Sequence, residues 1–416
     1  MDITIQPRTL RGNITIIPSK SQAHRLLICA AFADQPTQLR CAETNRDIEA
    51  TADCLRSLGA EILRTETGYT VFPAAKLPES AVLNCCESGS TLRFMLPIVG
   101  ALGVDATFQM AGRLPQRPLS PLWEEMERMG CTLSRPTADT IRCQGRLRPG
   151  NYSIDGGVSS QFITGLLFAL SLIPGQCHLE VTGKVESKPY IDMTKEALAR
   201  FHAPHYHSPG YIEIEGDWSN GAFWVVADML GCELSIHGLN SDSLQGDRAV
   251  VDILRMLTAG TATVSAADIP DLVPILAVTA AAKQGAVFTD IRRLRLKESD
   301  RVASTIAMIE NLGGRAEATE ETLTVHGTGL TGGTVDAVND HRIAMAAAIA
   351  ATVCKKPVTI LGAECVKKAY PRFWEEYERL QCHCEPVRRP VWQSPDALNR
   401  SIEPGDSHAS VSTGSE

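Results

Sequence analysis

The chain has 416 residues, of which 44% are hydrophobic and 5% aromatic, with 40 Lys and Arg against 48 Asp and Glu and a formal net charge of -8. At roughly 150 residues per domain, this length predicts two to three domains and argues against a single compact one. The basic residues are spread along the chain rather than clustered, so the whole-chain electrostatic signature of a nucleic-acid-binding protein is missing, and we expect no nucleic-acid partner.

The chain starts with MDITIQPRTLRGN, in which no basic start precedes an apolar core, so neither a secretory signal nor a transit peptide is visible. No apolar run approaches the ~18–20 residues that a membrane span needs. We therefore expect a soluble cytoplasmic protein with no membrane partner. In that compartment the 13 cysteines are predicted to be free thiols. Cys85-Cys86 and Cys382-His383-Cys384 are candidate metal ligands, but neither has zinc spacing, so incidental thiols are favoured and no metal is predicted.

Six apolar, Ala- and Leu-rich stretches with helical character follow in chain order, and each opens with a short polar segment. They are SKSQAHRLLICAAFA from Ser19, SGSTLRFMLPIVGAL from Ser88, SSQFITGLLFALSLI from Ser159, SNGAFWVVADML from Ser219, DLVPILAVTAAAK from Asp271 and DHRIAMAAAIAATV from Asp340. A helix that is apolar on all sides must be buried, so we expect these six inside the protein, with their polar first residues reaching a surface.

A second, amphipathic helix follows each apolar one, as in RDIEATADCLRSLGAEI from Arg46, and short β-branched runs such as YTVFP and TLTVHG separate the helices. The repeating unit is therefore a buried helix, an amphipathic helix and a few strands. Six such units fill about 385 residues. Residues 385–416 are rich in Pro, Ser, Asp and Gly with little periodicity, so we predict a mobile tail there.

The first residues of the apolar helices are suited to binding anions. They comprise Lys20, Ser21 and Arg25; Gly89, Ser90 and Arg93; Ser159, Ser160 and Gln161; and Asp340, His341 and Arg342. Helix amino termini present free N–H groups and the positive end of the dipole, so several that converge would form a strong anion site. The alternative is that Ser and Asp are ordinary helix caps. Caps need an acceptor but no cation, so the added Lys and Arg favour an anion site.

The densest charged segment is RLRLKESDR from Arg293. Its alternation over residues 293–297 predicts a strand that presents three cations on one face, followed by a helix that starts at Ser299 or Asp300. Such a face meets either solvent or an anionic ligand. Arg117 and Lys368 are further candidate cations. Asp271 and Glu298 would lie near these cations and are candidates for a general base or acid. The alternatives are a helix cap for Asp271 and an ion-pair partner of Arg295 or Arg301 for Glu298.

Other motifs of known chemistry are missing from the sequence. It has no G-x-x-x-x-G-K-[ST], no dinucleotide glycine fingerprint, no H-E-x-x-H and no G-x-S-x-G. Nucleotide-binding, zinc-peptidase and serine-hydrolase functions therefore lose their usual support. His24 and His341 are isolated, and we interpret each as a structural histidine with its hydrogen bonds satisfied.

Ten short segments follow one another in a recognisable order: PSKSQAHR at Pro18, ESGSTLRF at Glu87, RLPQRPL at Arg113, DGGVSSQF at Asp155, SKPYIDMT at Ser187, LQGD at Leu244, IPDLVP at Ile269, RLKESDR at Arg295, NDHRIAMA at Asn339 and ECVKKAYP at Glu364. Through these segments, residues 1 to about 380 resemble the 5-enolpyruvylshikimate-3-phosphate synthase family. The resemblance implies an α/β (α+β) fold of two lobes, in which six βαββ-type repeats form an inside-out α/β barrel. Residues 1–18 with 218–384 would form the first lobe, and residues 19–217 would form a second lobe inserted into it.

The resemblance also implies an activity, which is transfer of the enolpyruvyl group of phosphoenolpyruvate to the 5-hydroxyl of 3-phosphoshikimate with release of phosphate. The implied ligands of 3-phosphoshikimate are Lys20, Ser21, Arg25, Ser159, Ser160, Gln161, Ser187, Asp271 and Lys297. The implied ligands of phosphoenolpyruvate are Lys20, Gly89, Arg117, Gln161, Arg301, Arg342 and Lys368. Asp271 would be the base, Glu298 the acid, and Lys20 a further catalytic residue. No metal or organic cofactor is implied, and we expect a monomer.

Two positions depart from the family pattern, and three other functions compete. Glu87 and Arg293 each stand where an asparagine is common; we expect Glu87 to pair with an arginine in the cleft and assign Arg293 no ligand role. The related enolpyruvyl transferase that acts on UDP-N-acetylglucosamine carries a cysteine in the loop that corresponds to RLPQRPL, and this loop has none. An RNA 3'-terminal phosphate cyclase would need a nucleotidylated histidine and an RNA-binding charge pattern. A non-enzymatic repeat scaffold would not need cations and carboxylates at so many helix starts.

Overall fold

The computed structural model describes residues 1–381, so the predicted tail at 385–416 and the Cys382-His383-Cys384 cluster lie outside the described residues. The α-helices, in chain order, are α1 Lys20–Ala31, α2 Arg46–Ser57, α3 Gly89–Leu102, α4 Leu122–Arg128, α5 Ser160–Leu172, α6 Lys188–Arg200, α7 Trp218–Met229, α8 Val250–Ala259, α9 Val273–Ala282, α10 Arg301–Asn311, α11 His341–Ala350 and α12 Phe373–Gln381. Four 3₁₀ turns accompany them at Leu114–Gln116, Gly246–Ala249, Arg292–Leu296 and Ala363–Lys368.

Short strands lie between the helices. They are β1 Ile3–Ile5, β2 Arg11–Thr15, β3 Thr37–Arg40, β4 Glu61–Arg64, β5 Gly68–Phe72, β6 Ser80–Asn84, β7 Asp105–Gln109, β8 Cys131–Ser134, β9 Thr140–Gly145, β10 Gly150–Asp155, β11 Cys177–Thr182, β12 Tyr211–Glu213, β13 Glu233–His237, β14 Ala262–Ser265, β15 Ala286–Thr289, β16 Arg315–Ala318, β17 Thr322–His326, β18 Gly333–Asp336 and β19 Val358–Leu361. The predicted mixed α/β fold class is confirmed.

Three of the sheets have the same topology. Their strand orders are β12-β3-β5-β4, β6-β7-β9-β8 and β14-β15-β17-β16. In each, the first two strands are parallel and the remaining neighbours are antiparallel. A parallel pair needs a long crossover: α3 joins β6 to β7 and α9 joins β14 to β15, whereas β12 pairs with β3 only after the chain has passed through residues 41–210. The smaller sheets are β1-β19-β18, β10-β11 and β13-β2.

The six apolar helices predicted from the sequence are α1, α3, α5, α7, α9 and α11. All ten residues of α11 are buried, and in α9 the residues from Val273 to Ala281 are buried as well. Ser19, Ser88 and Ser159 cap α1, α3 and α5, while Asp217 and Asp340 cap α7 and α11. At the amino-terminal end of each helix, a side-chain oxygen accepts a hydrogen bond from an N–H group of the first turn. These helices can therefore be apolar throughout and still begin at a polar surface.

Buried apolar side chains form two separate clusters. One is drawn from residues 5–17 and 218–380, and the other from residues 23–214. The chain passes between the clusters twice, and the two passages run side by side. The backbone N–H of Ser19 donates to the Glu215 carbonyl at 2.8 Å, and that of Asp217 donates to the Ile17 carbonyl at 2.9 Å. Anything bound between the clusters therefore lies close to the starts of α1 and α7.

The strand predicted over residues 293–297 is wrong, because the 3₁₀ turn Arg292–Leu296 occupies the segment. The alternation of Arg and Leu has the period of two that is typical of a strand, but a 3₁₀ turn has about three residues per turn and points neighbouring side chains in different directions as well. In this turn Leu294 is buried, Arg293 and Leu296 face a cavity, and Arg292 points outward to Glu321. The helix start expected at Ser299 or Asp300 is confirmed, since Asp300 caps α10.

The cysteines of the described residues are unpaired, and the helices there are short. The 11 cysteines within residues 1–381 are free thiols; Cys85 is buried and Cys86 is exposed. The longest helix, α3, has 14 residues. Within the described part of the chain, none of the helices combines the length and apolarity that crossing a bilayer requires.

Candidate active site

The starts of four of the apolar helices, α1, α3, α5 and α9, meet at a cavity of about 120 Å³. Of the predicted site residues, those lining it are Lys20, Ser21, Arg25, Gly89, Arg117, Ser159, Ser160, Gln161, Ser187, Asp271, Lys297 and Glu298. Arg301 and Arg342 pair with Asp271 of this lining, whereas Lys368 contacts Glu87 and Asn339, which do not line the cavity. The lining contains six cationic side chains, including Arg93 and Arg293, against three carboxylates, Asp47, Asp271 and Glu298. This local excess of positive charge makes the cavity suited to anions.

Asp271 lies among cations rather than at a helix cap. Helix α9 begins two residues later, with Leu272 as its capping residue, so the helix-cap interpretation is wrong. The Asp271 carboxylate is 2.5 Å from Arg301 Nη1, 3.4 Å from Lys297 Nζ and 3.7 Å from Arg342 Nη2. Burial alone would raise the pKa of this carboxyl, but the charges of Lys297, Arg301 and Arg342 hold it well below its usual range.

Glu298 lies on the opposite side of Arg301. Its Oε2 accepts from Arg301 Nη2 at 2.6 Å, and its Oε1 is 3.9 Å from Arg117 Nη1. Here too burial would raise the pKa, while Arg301 and Arg117 lower it well below the ordinary value for a glutamate. The two carboxylates proposed from the sequence as acid and base are therefore both ionised in the unliganded site.

Arg301 links these carboxylates to a third one. Its side chain is 1% exposed, and its Nε donates to Asp340 Oδ2 at 2.9 Å. Burial would lower the pKa of this guanidinium, but Asp340, Glu298 and Asp271 raise it well above its ordinary value. A buried Arg with three carboxylate partners is fixed in position, so Asp271 and Glu298 are held at a set separation.

Lys20 and Lys297 differ in their electrostatic surroundings. Lys20 Nζ is 2.9 Å from Asp47, and although burial would lower its pKa, Asp47 and Glu298 raise it. Burial lowers the pKa of Lys297 to about 8, because the attraction of Asp271 and Glu298, which Arg301 and Arg293 oppose, only partly offsets the cost of burying the charge. Lys20 therefore stays charged at neutral pH, while Lys297 is close to its titration range.

Gly89 lies beneath two guanidinium groups. A Cβ at this position would be 2.6 Å from Arg117 Nη1 and 2.6 Å from Arg93 Nη1. Arg93 Nη1 donates to Gln161 Oε1 at 2.9 Å, but the Nε atoms of Arg93 and Arg117 have no hydrogen-bond partner within residues 1–381. Burial and the charge of Arg117 lower the pKa of Arg93 well below its usual value. Two buried, incompletely paired cations side by side indicate an anion position.

The other end of the cavity is rich in hydroxyl groups. Ser159 caps α5, and Gln161 Nε2 donates to Ser90 Oγ at 2.9 Å. Ser187, in a left-handed conformation with φ of 56°, accepts from Arg293 Nη1 at 3.2 Å. Arg25 is largely committed to the protein, because its Nη1 and Nη2 donate to the carbonyls of Ser21 at 2.6 Å and Tyr190 at 2.8 Å. This end presents neutral donors and acceptors of the kind that a polyhydroxylated ligand needs.

Two sequence-based expectations about neighbouring residues are wrong. Glu87 does not pair with an arginine; its Oε2 is 3.7 Å from Lys368 Nζ, which also donates to the Asn339 carbonyl at 2.5 Å. His341 is not a satisfied structural histidine, because both ring nitrogens are buried without a hydrogen-bond partner in the described residues. His24 meets the expectation only in part: its Nδ1 is 2.7 Å from Thr51 Oγ1, but its Nε2 is buried without a hydrogen-bond partner in the described residues.

Sequence reasoning missed two residues of the site, Asp47 and Tyr190, and assigned no ligand role to a third, Arg93. Asp47 lies in the first turn of the amphipathic helix α2, and Tyr190 lies in α6, so neither is at an apolar helix start. Arg93 was visible near the start of α3, but its closeness to Arg117 depends on the loop that follows β7. Only Arg93 carried a usable signal, as a cation one turn into a helix that is otherwise buried.

Comparison with known proteins agrees with this geometry. The family profile described as EPSP synthase (3-phosphoshikimate 1-carboxyvinyltransferase) matches residues 5–268 and 257–377. A Clostridium kluyveri protein named 3-phosphoshikimate 1-carboxyvinyltransferase is 37% identical over 413 residues, which cover 91% of this chain and 97% of that protein. A protein of the same name from Clostridium acetobutylicum is 35% identical over 416 residues, with the same coverage of both chains.

Two solved structures are similar in fold. The EPSP synthase from Acinetobacter baumannii superposes with a TM-score of 0.74 at 21% identity, covering 91% of this chain and 98% of that one. The enolpyruvyl transferase NikO from Streptomyces tendae gives a TM-score of 0.69 at 17% identity, covering 91% and 97%.

Proposed function

The chain belongs to the EPSP synthase (3-phosphoshikimate 1-carboxyvinyltransferase) family, whose reaction is transfer of the enolpyruvyl group of phosphoenolpyruvate to the 5-hydroxyl of 3-phosphoshikimate. We propose that the residues of the cavity described above bind these two substrates and catalyse this transfer. Both substrates of this reaction carry phosphate and carboxylate groups. The observation that carries the proposal is the cavity lined by six cations, with two carboxylates held on either side of Arg301.

Phosphoenolpyruvate is assigned to the end of the cavity near Gly89. Its proposed ligands are Lys20, Gly89, Arg117, Gln161, Arg301, Arg342 and Lys368. The buried guanidinium groups of Arg93 and Arg117 support this placement, because they lack full compensation within the described chain. Phosphate is the product released here, and fixed cations stabilise it as it leaves.

3-Phosphoshikimate is assigned to the hydroxyl-rich end. Its proposed ligands are Lys20, Ser21, Arg25, Ser159, Ser160, Gln161, Ser187, Asp271 and Lys297. Lys20 and Gln161 contribute to both sets, since they lie where the two ends meet. Their position brings two anions that repel each other to reacting distance, which converts a bimolecular reaction into an effectively unimolecular one.

Asp271 is the proposed base and Glu298 the proposed acid. Asp271 takes the proton of the 5-hydroxyl while the hydroxyl oxygen bonds to the central carbon of phosphoenolpyruvate. Glu298 gives a proton to the methylene carbon. The tetrahedral intermediate then loses phosphate and a methyl proton, for which the Glu298 carboxylate is again the nearest proposed acceptor. Lys20 is the further catalytic residue, and its raised pKa keeps it cationic beside the reacting groups.

The depressed pKa of Glu298 has to rise before it can act as an acid. Arg301 and Arg117 hold the pKa down in the empty site. When two anionic substrates enter, their charges oppose these cations and raise the pKa values of both carboxylates. We therefore propose that Glu298 becomes protonated as the substrates bind.

The two apolar clusters are proposed to be the cores of two lobes, with residues 19–217 inserted into the other lobe. The crossing of the chain at residues 17–19 and 215–217 supports this division. Monomeric assembly and a cytoplasmic location stay predictions; light scattering after size-exclusion chromatography tests the first and cell fractionation the second.

Phosphate release tests the function directly. We expect release only when phosphoenolpyruvate and 3-phosphoshikimate are both supplied, with either substrate alone as the control. The loop that starts at Arg113 has no cysteine, which disfavours the UDP-N-acetylglucosamine reaction. Equal turnover with the UDP-sugar, or no turnover with 3-phosphoshikimate, would contradict the proposal.

A further inference from the structure

Asp247 is a buried carboxyl group that none of the proposed steps uses. It lies in the 3₁₀ turn Gly246–Ala249 and is 0% exposed. Its Oδ2 accepts hydrogen bonds from the hydroxyls of Tyr190, at 3.3 Å, and Ser219. Its Oδ1 is buried and has no hydrogen-bond partner among residues 1–381. Burying a carboxylate oxygen without a hydrogen-bond donor costs free energy, so the presence of Asp247 at this position needs an explanation.

The two partners of Asp247 lead to opposite sides of the proposed site. Tyr190 lines the cavity, and its carbonyl accepts from Arg25 Nη2 at 2.8 Å. The Ser219 carbonyl accepts from Arg342 Nη1 at 2.6 Å. Asp247 therefore joins a wall residue of the 3-phosphoshikimate end to the start of α7 and, through it, to a proposed ligand of phosphoenolpyruvate.

We propose that Asp247 is a positioning residue for the transfer reaction. It holds Tyr190 against the 3-phosphoshikimate end of the cavity, and its charge acts on Asp271 and on the bound anions. This inference rests on the function proposed above. Asp247 touches neither the reacting atoms nor a ligand, so its effect reaches the reaction through Tyr190, Ser219 and Asp271.

The groups around Asp247 make its charge variable near neutral pH. Facing its carboxyl are Tyr190 of α6, Asp217 at the start of α7, Asp271 before α9 and Arg342 of α11. The buried residues of the adjoining helix α8 are apolar: Val250, Ile253, Leu254 and Leu257. Burial, and then the charge of Asp271, raise the pKa of Asp247 to about 7 against the opposing effects of Arg342 and Ser219.

The sign of the resulting pH effect follows from charge. As pH rises through about 7, Asp247 loses its proton and adds a negative charge behind a cavity that must bind two anions. The KM for 3-phosphoshikimate should therefore increase with pH over this range. For one partly screened charge within the protein, the increase is expected to be about three- to tenfold.

The test compares Asp247→Asn with the unaltered enzyme. Asparagine has nearly the same shape and can still accept from both hydroxyls, but it cannot ionise. We expect its KM for 3-phosphoshikimate to be nearly constant between about pH 6 and pH 7.5, with the difference from the unaltered enzyme confined to KM rather than kcat. Direct binding of 3-phosphoshikimate, measured by calorimetry at both pH values, should show the same contrast.

Asp228→Asn is the matched control. Asp228 lies near the other end of α7, accepts from the Leu234 backbone N–H at 3.0 Å, and has a pKa raised by burial. It is a half-buried carboxyl on the same helix but outside the cavity, so its replacement should leave the pH dependence of KM unchanged.

Specific results would overturn the inference. If Asp247→Asn keeps the pH dependence of the unaltered enzyme, or if Asp228→Asn abolishes it equally, the charge of Asp247 does not act on the site and the proposal is refuted. Should Asp247→Asn fail to fold, Ser219→Ala gives the same test: losing a donor raises the pKa of Asp247, so the rise in KM must move to higher pH, and an unmoved rise refutes the proposal. Failure of the unaltered enzyme to turn over the substrate pair would instead refute the proposed function.

Discussion

Replacing Gly89 with alanine tests the placement of phosphoenolpyruvate most directly. The added methyl carbon would lie 2.6 Å from Arg117 Nη1 and 2.6 Å from Arg93 Nη1. A non-bonded contact of this kind settles at about 3.5 Å, so one or both guanidinium groups must retreat by about 0.9 Å. Both side chains are largely buried, and Arg93 is held by Gln161, so the retreat disturbs the anion position rather than being absorbed by solvent.

The expected cost follows from the contacts that are lost. A hydrogen bond to a charged group contributes about 1.5–3 kcal/mol, so weakening one such contact should raise the KM for phosphoenolpyruvate by roughly 10- to 100-fold. The KM for 3-phosphoshikimate should change by less than about threefold, because Gly89 belongs to the other end of the cavity. Alanine favours helix over glycine, so we expect the unfolding temperature to stay within a few degrees.

Steady-state kinetics with each substrate varied in turn provide the measurement. Gly260→Ala is the matched control, since Gly260 is in extended conformation and a Cβ there would meet only Gln284 Oε1 at 3.8 Å. A KM for phosphoenolpyruvate within about twofold of the unaltered enzyme would refute the placement. Equal increases in the KM values of both substrates would show a general distortion of the cavity instead.

Three further predictions concern the acid, the base, Lys297 and the donor site. Asp271→Asn and Glu298→Gln should each lower kcat by about 10²–10⁴-fold with little change in unfolding temperature, and a near-normal kcat removes that residue from the mechanism. The pKa of Lys297 is about 8, so 3-phosphoshikimate affinity should fall as pH rises through this value; Lys297→Arg should abolish that fall, and an unchanged profile would exclude Lys297. Glyphosate resembles phosphoenolpyruvate and should compete with it in initial-rate assays; normal turnover without inhibition would mean that Glu87 or the loop from Arg113 has reshaped the donor site.

The apolar helices were predictable because their pattern has one physical solution. A stretch such as residues 341–350, apolar all round and opened by Asp340, can only be a buried helix with a capped start. The polar first turns of these helices pointed to the cavity described above, which Lys20, Gly89 and Gln161 line; Glu298, which also lines it, came from the charged segment at Arg293 instead.

The misplaced features depend on contacts distant in sequence or on a short, ambiguous period. Residues 293–297 alternate as a strand would, yet the segment is occupied by a 3₁₀ turn whose side chains repeat about every three residues, so that Arg293 and Leu296 both face the cavity. The ion pair of Lys20 with Asp47 joins two helices, and the link from Tyr190 to Asp247 joins residues 57 positions apart. Periodicity reports only which face of an element is buried, so it gives no access to such pairings.

The net charge of -8 gives no indication of the local excess of positive charge at the cavity, or of the carboxylates that partly balance it. Six cations around one cavity would repel one another strongly, and the carboxylates of Asp47, Asp271 and Glu298 reduce that repulsion while no substrate is bound. The same pairing keeps the pKa values of Asp271 and Glu298 low, so neither can hold a proton in the empty site. On the substrate placement proposed above, the two anions would take over as partners of the cations and raise the pKa values of both carboxylates. Acid–base chemistry would then become available only once the cavity is filled, which would link catalysis to occupancy through charge.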